Sequence, residues 1–561
     1  MVRSAARSYF PPPMKQPSLI LLLGAVILFG PESGTAVRSG TEEQLLELVT
    51  AGRHPNLRWP DFSDVRDDLD RIYTARDWRP LWFVDDTITG PGRALVRVLS
   101  EAGNRGLDPG DYDTGWLIAE ANRPMASGDT TRIARLEVAL SVAAARFSLA
   151  LRRGRVSPEA VHATFKLPMD SFSVDSTLLQ LAVSDRPNEL LSALEPQLLH
   201  YYLLIGALVR YRQLARDSAL VSLPPMPRRL RPGDPYRGLP TLRRLLRLLG
   251  DDRDSLTPPL LDTLYTGTVV DAVKRFQARQ GFTADGVIGD STRTRMQHPF
   301  EQRIRQMELT LERFRWMPRH FSAPPIFVNI PAFRLYAFSG KQDDEASLLR
   351  MNVVVGTAFK TQTPVFAANM TYLIFSPYWD VPPSIALSEV KPEALKDPQW
   401  LDRNHMELVR GDQVLAPYPE NIELIGKGVR VRQTPGPHNA LGGVKFLLPN
   451  DYQVYLHDTP SRSLFERSRR DASHGCIRLG DPMALARLVL GDQPEWTEER
   501  IKAAMKTDIS ERVDLTHPIP VFIVYGTAIA RENGDVFFYS DIYGHDRALD
   551  RLLKKGYPYK G

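Results

Sequence analysis

Cysteine is almost absent from this chain: Cys476 is the only one among 561 residues. A single thiol can neither close an intramolecular disulfide nor build a cysteine metal cage, so both kinds of site are excluded. Cys476 is therefore either a packed apolar side chain or a reactive thiol. The flanking Ser473-His474-Gly475 and the charged segment from Glu466 to Asp471 favour a reactive thiol.

Two further absences limit the function. The sequence has neither a histidine pair at helical spacing nor a thiol cluster, the patterns typical of metal sites, so we expect no metal and no other cofactor. Charge of one sign is not concentrated, because 71 basic residues are dispersed among 66 acidic ones and the formal net charge is only +5. This composition does not predict nucleic-acid binding, although it is compatible with anionic polymers or membrane surfaces.

Long apolar runs are missing after the first forty residues. The candidate run, Leu19 to Phe29, follows Arg3 and Lys15 and is shorter than the roughly 20 apolar residues that a membrane-spanning helix needs. It has the length and flanking charges of a signal-peptide core. We therefore predict that residues 1–36 direct export, with cleavage after Ala36, the alternative being an uncleaved membrane anchor.

The length of 561 residues predicts two to four domains. In residues 43–222 apolar side chains recur three and four positions apart, the period of amphipathic helices. No acid pair or nucleophile stands out there, so we predict a helical scaffold domain. Its tryptophans are expected to anchor the core rather than to form a binding face: Trp59, Trp78, Trp82 and Trp116.

A proline-rich linker between Ser222 and Pro240 follows the scaffold. Residues 239–297 are then predicted to form a small helical module, in which Gly281 ends the main helix. The module resembles the small peptidoglycan-binding module, whose pattern A-V-x-x-F-Q-x-x-x-G-L-x-x-D-G-x-x-G-x-x-T is met except for Phe282 in place of the commoner Leu. The alternative is a helical bundle without a binding function.

Residues 300–322 are again helical and are predicted to rejoin the scaffold, which makes the module an insertion. The pattern then changes to short alternating apolar runs, typical of a β-rich domain predicted to span 325–528. Its polar, proline-interrupted segment 384–427 is long enough to be a lid over a site. The Asn533-Gly534 step predicts a hairpin in a C-terminal extension, 529–561. The chain is therefore predicted to be a multidomain α+β protein.

A thiol with an ordinary pKa of about 8.5 is mostly protonated at neutral pH, so a nucleophilic Cys476 needs a base within hydrogen-bonding reach. His474 is close in sequence but constrained by the local backbone, whereas His457 ends the predicted strand Val454-Tyr455-Leu456. We therefore predict that His457 is the base and that His474 shapes the loop. The backbone N–H groups of His474, Gly475 and Cys476 are candidate donors to an oxyanion.

Two features next to Cys476 have further interpretations. Arg478 is a candidate clamp for a substrate carboxylate through bidentate pairing, the alternative being a structural ion pair with Asp481. The helical pattern beginning at Pro482 predicts that the sulfur lies near a loop-to-helix junction. Backbone N–H groups at a helix start would favour a thiolate there.

The residues around Cys476 resemble the active site of the L,D-transpeptidases with a YkuD-type catalytic domain. The family signature is a His, roughly 14–17 residues, and then [Ser/Thr]-His-Gly-Cys with a hydrophobic residue. Here 15 residues separate His457 from Ser473, and Ile477 fills the hydrophobic position. Arg478 stands where many members have Asn, a departure that is similar to the larger branch, often called YcbB-like, with an N-terminal scaffold.

The resemblance implies a two-step acyl transfer on peptidoglycan by a cysteine acyltransferase. Cys476 would attack the carbonyl at the L-centre of the diamino acid in a donor tetrapeptide stem, expel the terminal D-Ala and form a thioester. His457 would take the thiol proton and later deprotonate the side-chain amine of a second stem, which gives a 3→3 cross-link. Either the backbone carbonyl or the carboxylate of Asp458 would orient the imidazole.

The same resemblance assigns the remaining site residues. Ser473, His474 and Gly475 are expected to shape the loop and the oxyanion site. The segments from Ser376 to Ile385 and from Asn439 to Gly442 are also similar to the YcbB-like branch. They complete a set of expected substrate-binding residues: Arg478, Tyr455, Trp379 and Asn439.

The implied partners are the stem peptides and glycan of peptidoglycan, with an envelope protein as an alternative acyl acceptor. The implied location is the periplasm of a bacterium, and membrane contact is expected only through an uncleaved N-terminal anchor. A role in cell-wall biogenesis and cell shape follows, as does acylation by carbapenems. Two alternatives remain open: an L,D-carboxypeptidase-like cysteine hydrolase of wall peptides, and a wall-binding scaffold without catalytic activity.

Overall fold

The computed structural model describes residues 40–167, 171–216, 223–253, 263–338, 348–358 and 361–558. The predicted export segment, residues 1–36, lies outside them. Within the described ranges, no helix combines the length and the apolar character needed to cross a bilayer.

The first domain is helical, as its periodicity predicts. Its elements are α1 Gly40–Ala51, α2 Arg66–Thr74, β1 Phe83–Val84, β2 Thr87–Ile88, α3 Gly90–Ser100, α4 Thr114–Asn122, α5 Thr130–Arg153, α6 Pro158–Val161, α7 Val174–Val183, α8 Pro187–Ser192 and α9 Leu199–Arg216. Helix α5 is buried along most of its length and forms the centre of the domain. Its buried Glu137 accepts hydrogen bonds from the Tyr73 hydroxyl and from the backbone N–H groups of Leu81 and Trp82.

Three helices form the small module and a fourth returns to the scaffold: α10 Leu239–Leu249, α11 Thr268–Arg279, α12 Asp290–Met296 and α13 Phe300–Phe314. Gly281 adopts a left-handed conformation, with φ of 72°, just after α11. The buried Gln277 side chain donates to the Val287 carbonyl at 3.0 Å and accepts from the Gly286 N–H at 2.8 Å, which holds the following loop. Met307 and Leu311 of α13 share an apolar cluster with α9, so the chain leaves the scaffold and comes back to it.

The second half is built on one large sheet. Its strands are β3 Ile326–Asn329, β4 Arg334–Phe338, β5 Leu348–Gly356, β6 Phe366–Phe375, β11 Val444–Leu447, β12 Leu456–His457, β13 Asp471–Ser473, β14 Ile477–Leu479 and β15 Glu511–Val524. The spatial order is β13-β5-β14-β12-β11-β6-β15-β3-β4, and β4 also pairs with β5, so the sheet closes on itself. One face of the sheet and helices α18 Pro482–Val489 and α19 Glu498–Ala504 contribute to a common apolar core.

The polar segment expected to be a lid is a folded subdomain. It contains a four-stranded sheet, in the spatial order β7 Trp379–Asp380, β10 Arg430–Gln433, β8 Met406–Arg410 and β9 Gln413–Leu415, and a small apolar core of its own. This insertion extends from β7 to β10 and is therefore wider than the predicted 384–427. Its elements are β7 Trp379–Asp380, α14 Pro383–Ile385, a π-helical turn Ala386–Val390, α15 Lys391–Lys396, α16 Gln399–Arg403, β8 Met406–Arg410, β9 Gln413–Leu415, α17 Pro419–Glu423 and β10 Arg430–Gln433.

The C-terminal extension packs back on earlier parts of the chain. It consists of β16 Ala528–Ala530, β17 Val536–Phe538 and α20 His545–Leu553. The Asn533-Gly534 step lies in the connection between β16 and β17, which pair antiparallel. The buried Arg279 of the module donates to the Val536 carbonyl, and Arg313 of α13 pairs with Asp546 of α20 at 2.5 Å. The extension therefore connects the module and the return helix.

We expect Leu456→Ala to destabilise the catalytic domain. Leu456 is fully buried in a strand of only two residues, and truncation of a buried leucine costs about 2–5 kcal/mol. The measurement is differential scanning calorimetry, with Val414→Ala as control because Val414 on β9 is half exposed. A melting temperature as high as that of the control would contradict this assignment of the core.

Candidate active site

The pairing of two short strands brings together the residues that could perform chemistry. Strands β12 and β14 run parallel, with Leu456 opposite Ile477 and His457 opposite Arg478. Leu456 and Ile477 are fully buried. Because successive side chains of a strand point to opposite faces, the residues beside them lie on the other face of the sheet. That face presents Tyr455, His457, Cys476 and Arg478. It also presents Lys445 of β11, which lies opposite His457 in the pairing of β11 with β12.

The Cys476 thiol is partly exposed and rests in its protonated form. It donates a long hydrogen bond to the Gln453 carbonyl, with an S···O distance of 3.7 Å. Desolvation by the surrounding protein raises the pKa of the Cys476 thiol, although hydrogen bonds from Tyr455 and the positive charges of Arg478 and Lys445 act in the opposite direction. Such a thiol needs a base to become a nucleophile.

His457, the residue predicted to be that base, has a buried ring held in one orientation. The buried ring is held by a 2.5 Å hydrogen bond between Nδ1 and the backbone carbonyl of Asp458. If Nδ1 donates its proton to this carbonyl, Nε2 of the neutral ring is left as an acceptor. Burial lowers the pKa of His457 to about 3, with the charges of Arg478 and Lys445 acting in the same direction. The imidazole is therefore neutral at physiological pH.

Two groups of Asp458 were expected as alternatives to orient the imidazole, its backbone carbonyl and its carboxylate, and the structure distinguishes them. Its carboxylate accepts hydrogen bonds from the backbone N–H groups of Gly443 at 2.8 Å and Thr459 at 2.7 Å, and it pairs with Arg462. The carboxylate is thus occupied elsewhere, and the backbone carbonyl orients the ring.

Two cations flank the thiol and the imidazole. The buried Nε atom of Arg478 has no hydrogen-bond partner among the described residues. The predicted alternative, an ion pair with Asp481, is wrong for these residues, because the Asp481 carboxylate caps α18 by accepting the Ala484 N–H at 3.0 Å. Desolvation lowers the pKa of Lys445, whose ammonium donates to the Tyr378 carbonyl at 3.3 Å.

The turn that carries Cys476 corrects two predictions. The sulfur does not lie at a helix start, because strand β14 separates Cys476 from α18. The Gly475 N–H is not a free oxyanion donor either, since it donates to the Ser473 hydroxyl at 3.2 Å. That hydroxyl in turn donates to the Cys476 carbonyl at 2.6 Å. Gly475 has a φ of 117°, a conformation that residues with a Cβ rarely adopt.

Two residues expected to bind substrate have other contacts. Asn439 is completely buried, and its amide donates to the Pro377 carbonyl at 2.9 Å and the Thr434 carbonyl at 2.8 Å. These carbonyls flank the insertion, so Asn439 joins its two ends and is not available to substrate. Trp379 on β7 packs against the core of the insertion and remains partly exposed.

His474 connects the turn with the insertion. Its Nε2 lies 3.3 Å from the Glu389 carboxylate in the π-helical turn, and both side chains are more than half exposed. Exposed pairs of this kind contribute about 0–1 kcal/mol. The insertion therefore contacts the turn that carries Cys476, but this contact contributes little to holding the two together.

Sequence reasoning missed Lys445 and Gln453. Lys445 is a charged residue in the otherwise apolar strand Val444–Leu447, and that exception was a detectable signal. Gln453 has a φ of 55°, which nothing in the surrounding sequence indicates. Asp380 is a further missed neighbour, since its charge acts on both Lys445 and Tyr455.

Three domain families match this chain. They are a scaffold domain at residues 67–208, a peptidoglycan binding domain at 238–296 and the YkuD L,D-transpeptidase catalytic domain at 324–518. The five residues on the site face all lie in the third region.

Two known proteins are similar over part of the chain. A protein from Haemophilus influenzae, provisionally named an L,D-transpeptidase, is 32% identical over 248 residues, which are 44% of this chain and 49% of that protein. The match thus spans about half the length of this relative. A solved structure of a fused zinc-dependent amidase/peptidase and peptidoglycan-binding protein from Clostridium acetobutylicum is 12% identical and covers 53% of this chain and 100% of its own, with a TM-score of 0.14. That value is too low to support an argument.

We expect His457 to remain neutral from pH 8 to pH 5. The folded protein holds its pKa near 3, whereas the ordinary value is 6.5, so the unfolded chain binds more protons between these values. His457 therefore makes the free energy of unfolding fall as the pH decreases from 6.5 towards 3. NMR of protein labelled at histidine Cε1 checks this, with His457→Asn identifying the signal. A titration midpoint near 6.5 would contradict the assignment.

Proposed function

Since this chain carries an L,D-transpeptidase catalytic domain of the YkuD type together with a scaffold domain and a peptidoglycan-binding domain, we propose that it cross-links peptidoglycan stem peptides. The reaction is a cysteine-dependent acyl transfer that joins two stems by a 3→3 bond. One observation carries the proposal: Cys476, His457, Tyr455, Lys445 and Arg478 lie on one face of the sheet inside the matched catalytic domain.

In the first step, Nε2 of His457 takes the thiol proton and the sulfur attacks the carbonyl carbon of the donor stem. The Tyr455 ring lies 5.7 Å from the His457 ring, measured between centroids, and Tyr455 and the Cys476 thiol act on each other's pKa. The Tyr455 hydroxyl is therefore a candidate donor to the oxyanion that forms on the attacked carbon. Together with the Cys476 backbone N–H it supplies two donors. Donors placed where charge develops stabilise the transition state.

Collapse of the tetrahedral intermediate breaks the amide bond, and the terminal D-Ala leaves with a proton from His457. The product is a thioester on Cys476. Arg478 binds a carboxylate of the donor stem, a role supported by its partly exposed side chain and by the action of its charge on the Cys476 thiol. Lys445 adds positive charge beside the developing thiolate.

In the second step, a side-chain amine of another stem attacks the thioester, and neutral His457 accepts the proton that this amine loses. The peptidoglycan-binding domain holds the polymer near the site. Because peptidoglycan lies outside the cytoplasm, we also propose that the protein acts in the periplasm.

The proposal predicts that purified protein converts disaccharide tetrapeptide into a cross-linked dimer with release of D-Ala. Cys476→Ala should abolish the dimer, because the chain has no other cysteine. Its circular dichroism spectrum should match that of the unmodified protein, which shows that the fold is kept. Mass spectrometry of the products is the measurement. Accumulation of tripeptide without dimer would instead identify a hydrolase, and no reaction with any stem peptide would favour a wall-binding scaffold.

A second prediction concerns the base. His457→Ala should slow acylation of Cys476 by a carbapenem about 10²–10⁴-fold, the usual contribution of a general base. Intact-mass analysis over time measures the adduct. His320→Ala is the matched control, because His320 is an exposed histidine outside the sheet. A normal rate for His457→Ala, combined with a slow rate for His474→Ala, would transfer the base role to His474.

A further inference from the structure

The turn that carries Cys476 accepts hydrogen bonds from three threonines, Thr357, Thr361 and Thr363. The Ser473 carbonyl accepts hydrogen bonds from the Thr357 N–H at 3.1 Å and the Thr361 hydroxyl at 3.0 Å. The Gly475 carbonyl accepts one from the Thr363 hydroxyl at 2.7 Å. Thr363 is completely buried, so this last bond is shielded from water.

The hydrogen bond from Thr363 to the Gly475 carbonyl determines the direction of the Cys476 N–H. The carbonyl of Gly475 and the N–H of Cys476 belong to the same planar peptide unit and point in opposite directions. Because Thr363 holds the carbonyl towards the protein interior, the Cys476 N–H faces the opposite side, where the oxyanion would form. A rotation of this peptide would remove the donor without moving the sulfur far.

Thr363 is itself held by the C-terminal extension. The Tyr543 hydroxyl donates to the Gly356 carbonyl at 2.6 Å and accepts the Thr363 N–H at 3.3 Å. The Gly356 N–H donates to the Thr363 hydroxyl at 2.9 Å, which leaves that hydroxyl's proton for Gly475. Tyr543 therefore holds both Gly356, at the end of β5, and Thr363, in the segment before β6.

Tyr543 is anchored to the return helix of the scaffold. Its backbone N–H donates to the Tyr525 hydroxyl at 2.9 Å. Three residues further on, Asp546 pairs with Arg313 of α13 at 2.5 Å and accepts the Thr527 hydroxyl at 2.6 Å. Both partners of the ion pair are more than nine-tenths buried. A continuous set of contacts thus joins α13 to the turn at Cys476.

We propose that Thr363 and Tyr543 are positioning residues for acyl transfer: they orient the Gly475–Cys476 peptide so that the Cys476 N–H meets the oxyanion. The C-terminal extension is then a necessary part of the active site, acting through the bonds of Tyr543 to Gly356 and Thr363. This inference rests on the acyl-transfer function proposed above.

The test separates oxyanion stabilisation from thiol reactivity. Acylation by a carbapenem needs the oxyanion donor, whereas alkylation by iodoacetamide needs only the sulfur. Thr363→Val keeps the shape of the side chain and removes its hydroxyl. We expect it to slow acylation about 10–100-fold, somewhat less than the loss of a whole oxyanion donor, and to leave alkylation within about twofold of normal. Thr363→Ser should restore acylation.

Tyr543→Phe should slow acylation several-fold in the same selective way. Its matched control is Tyr236→Phe, which removes a comparable hydrogen bond from a tyrosine to a carbonyl, Tyr236 to Pro224 at 2.8 Å, in the segment that precedes the module. Normal acylation by Thr363→Val, or an equal loss of acylation and alkylation, would overturn the positioning role. If the unmodified protein alkylates but never acylates, the acyl-transfer function fails first and this inference fails with it.

Discussion

The site depends on the parallel pairing of β12 with β14. This contact is short, but Leu456 and Ile477 bury their side chains in the core and thereby set the register. A shift by one residue would turn the apolar pair outward and place His457 and Cys476 in the core, at a large cost in free energy. The burial of these two aliphatic side chains therefore keeps His457 and Cys476 together on the other face of the sheet.

The surroundings of Cys476 and His457 favour the uncharged forms of these two side chains. Burial holds His457 neutral and the thiol protonated, while Lys445 and Arg478 stand beside them as cations. In the proposed reaction, negative charge appears only when the sulfur or the attacked carbonyl oxygen acquires it, and the positive charges of Lys445 and Arg478 are already in place beside the thiol. Such preorganisation lowers the barrier because no solvent has to reorient during the reaction.

The contacts that hold the turn at Cys476 differ in strength. The insertion touches the turn at Cys476 through the exposed pair of His474 and Glu389, which is a weak contact. Beneath the turn, the buried Thr363 and the anchored Tyr543 form shielded hydrogen bonds, which resist movement. The turn at Cys476 is thus held by shielded hydrogen bonds on one side and by a weak, exposed contact with the insertion on the other.

The sequence by itself determined the local features: the helical period of α5 and α10, the alternation of the strands, the cap at Gly281, and the spacing of His457 from Cys476 that identified the family resemblance. These depend on residues close together in the chain, where backbone geometry limits the options. Only the tertiary structure decided that Asn439 joins the ends of the insertion, that the Gly475 N–H is already bonded, and that Tyr543 supports Thr363 from 180 residues away. Contacts of that range arise from the packing of whole elements, and no local periodicity encodes them.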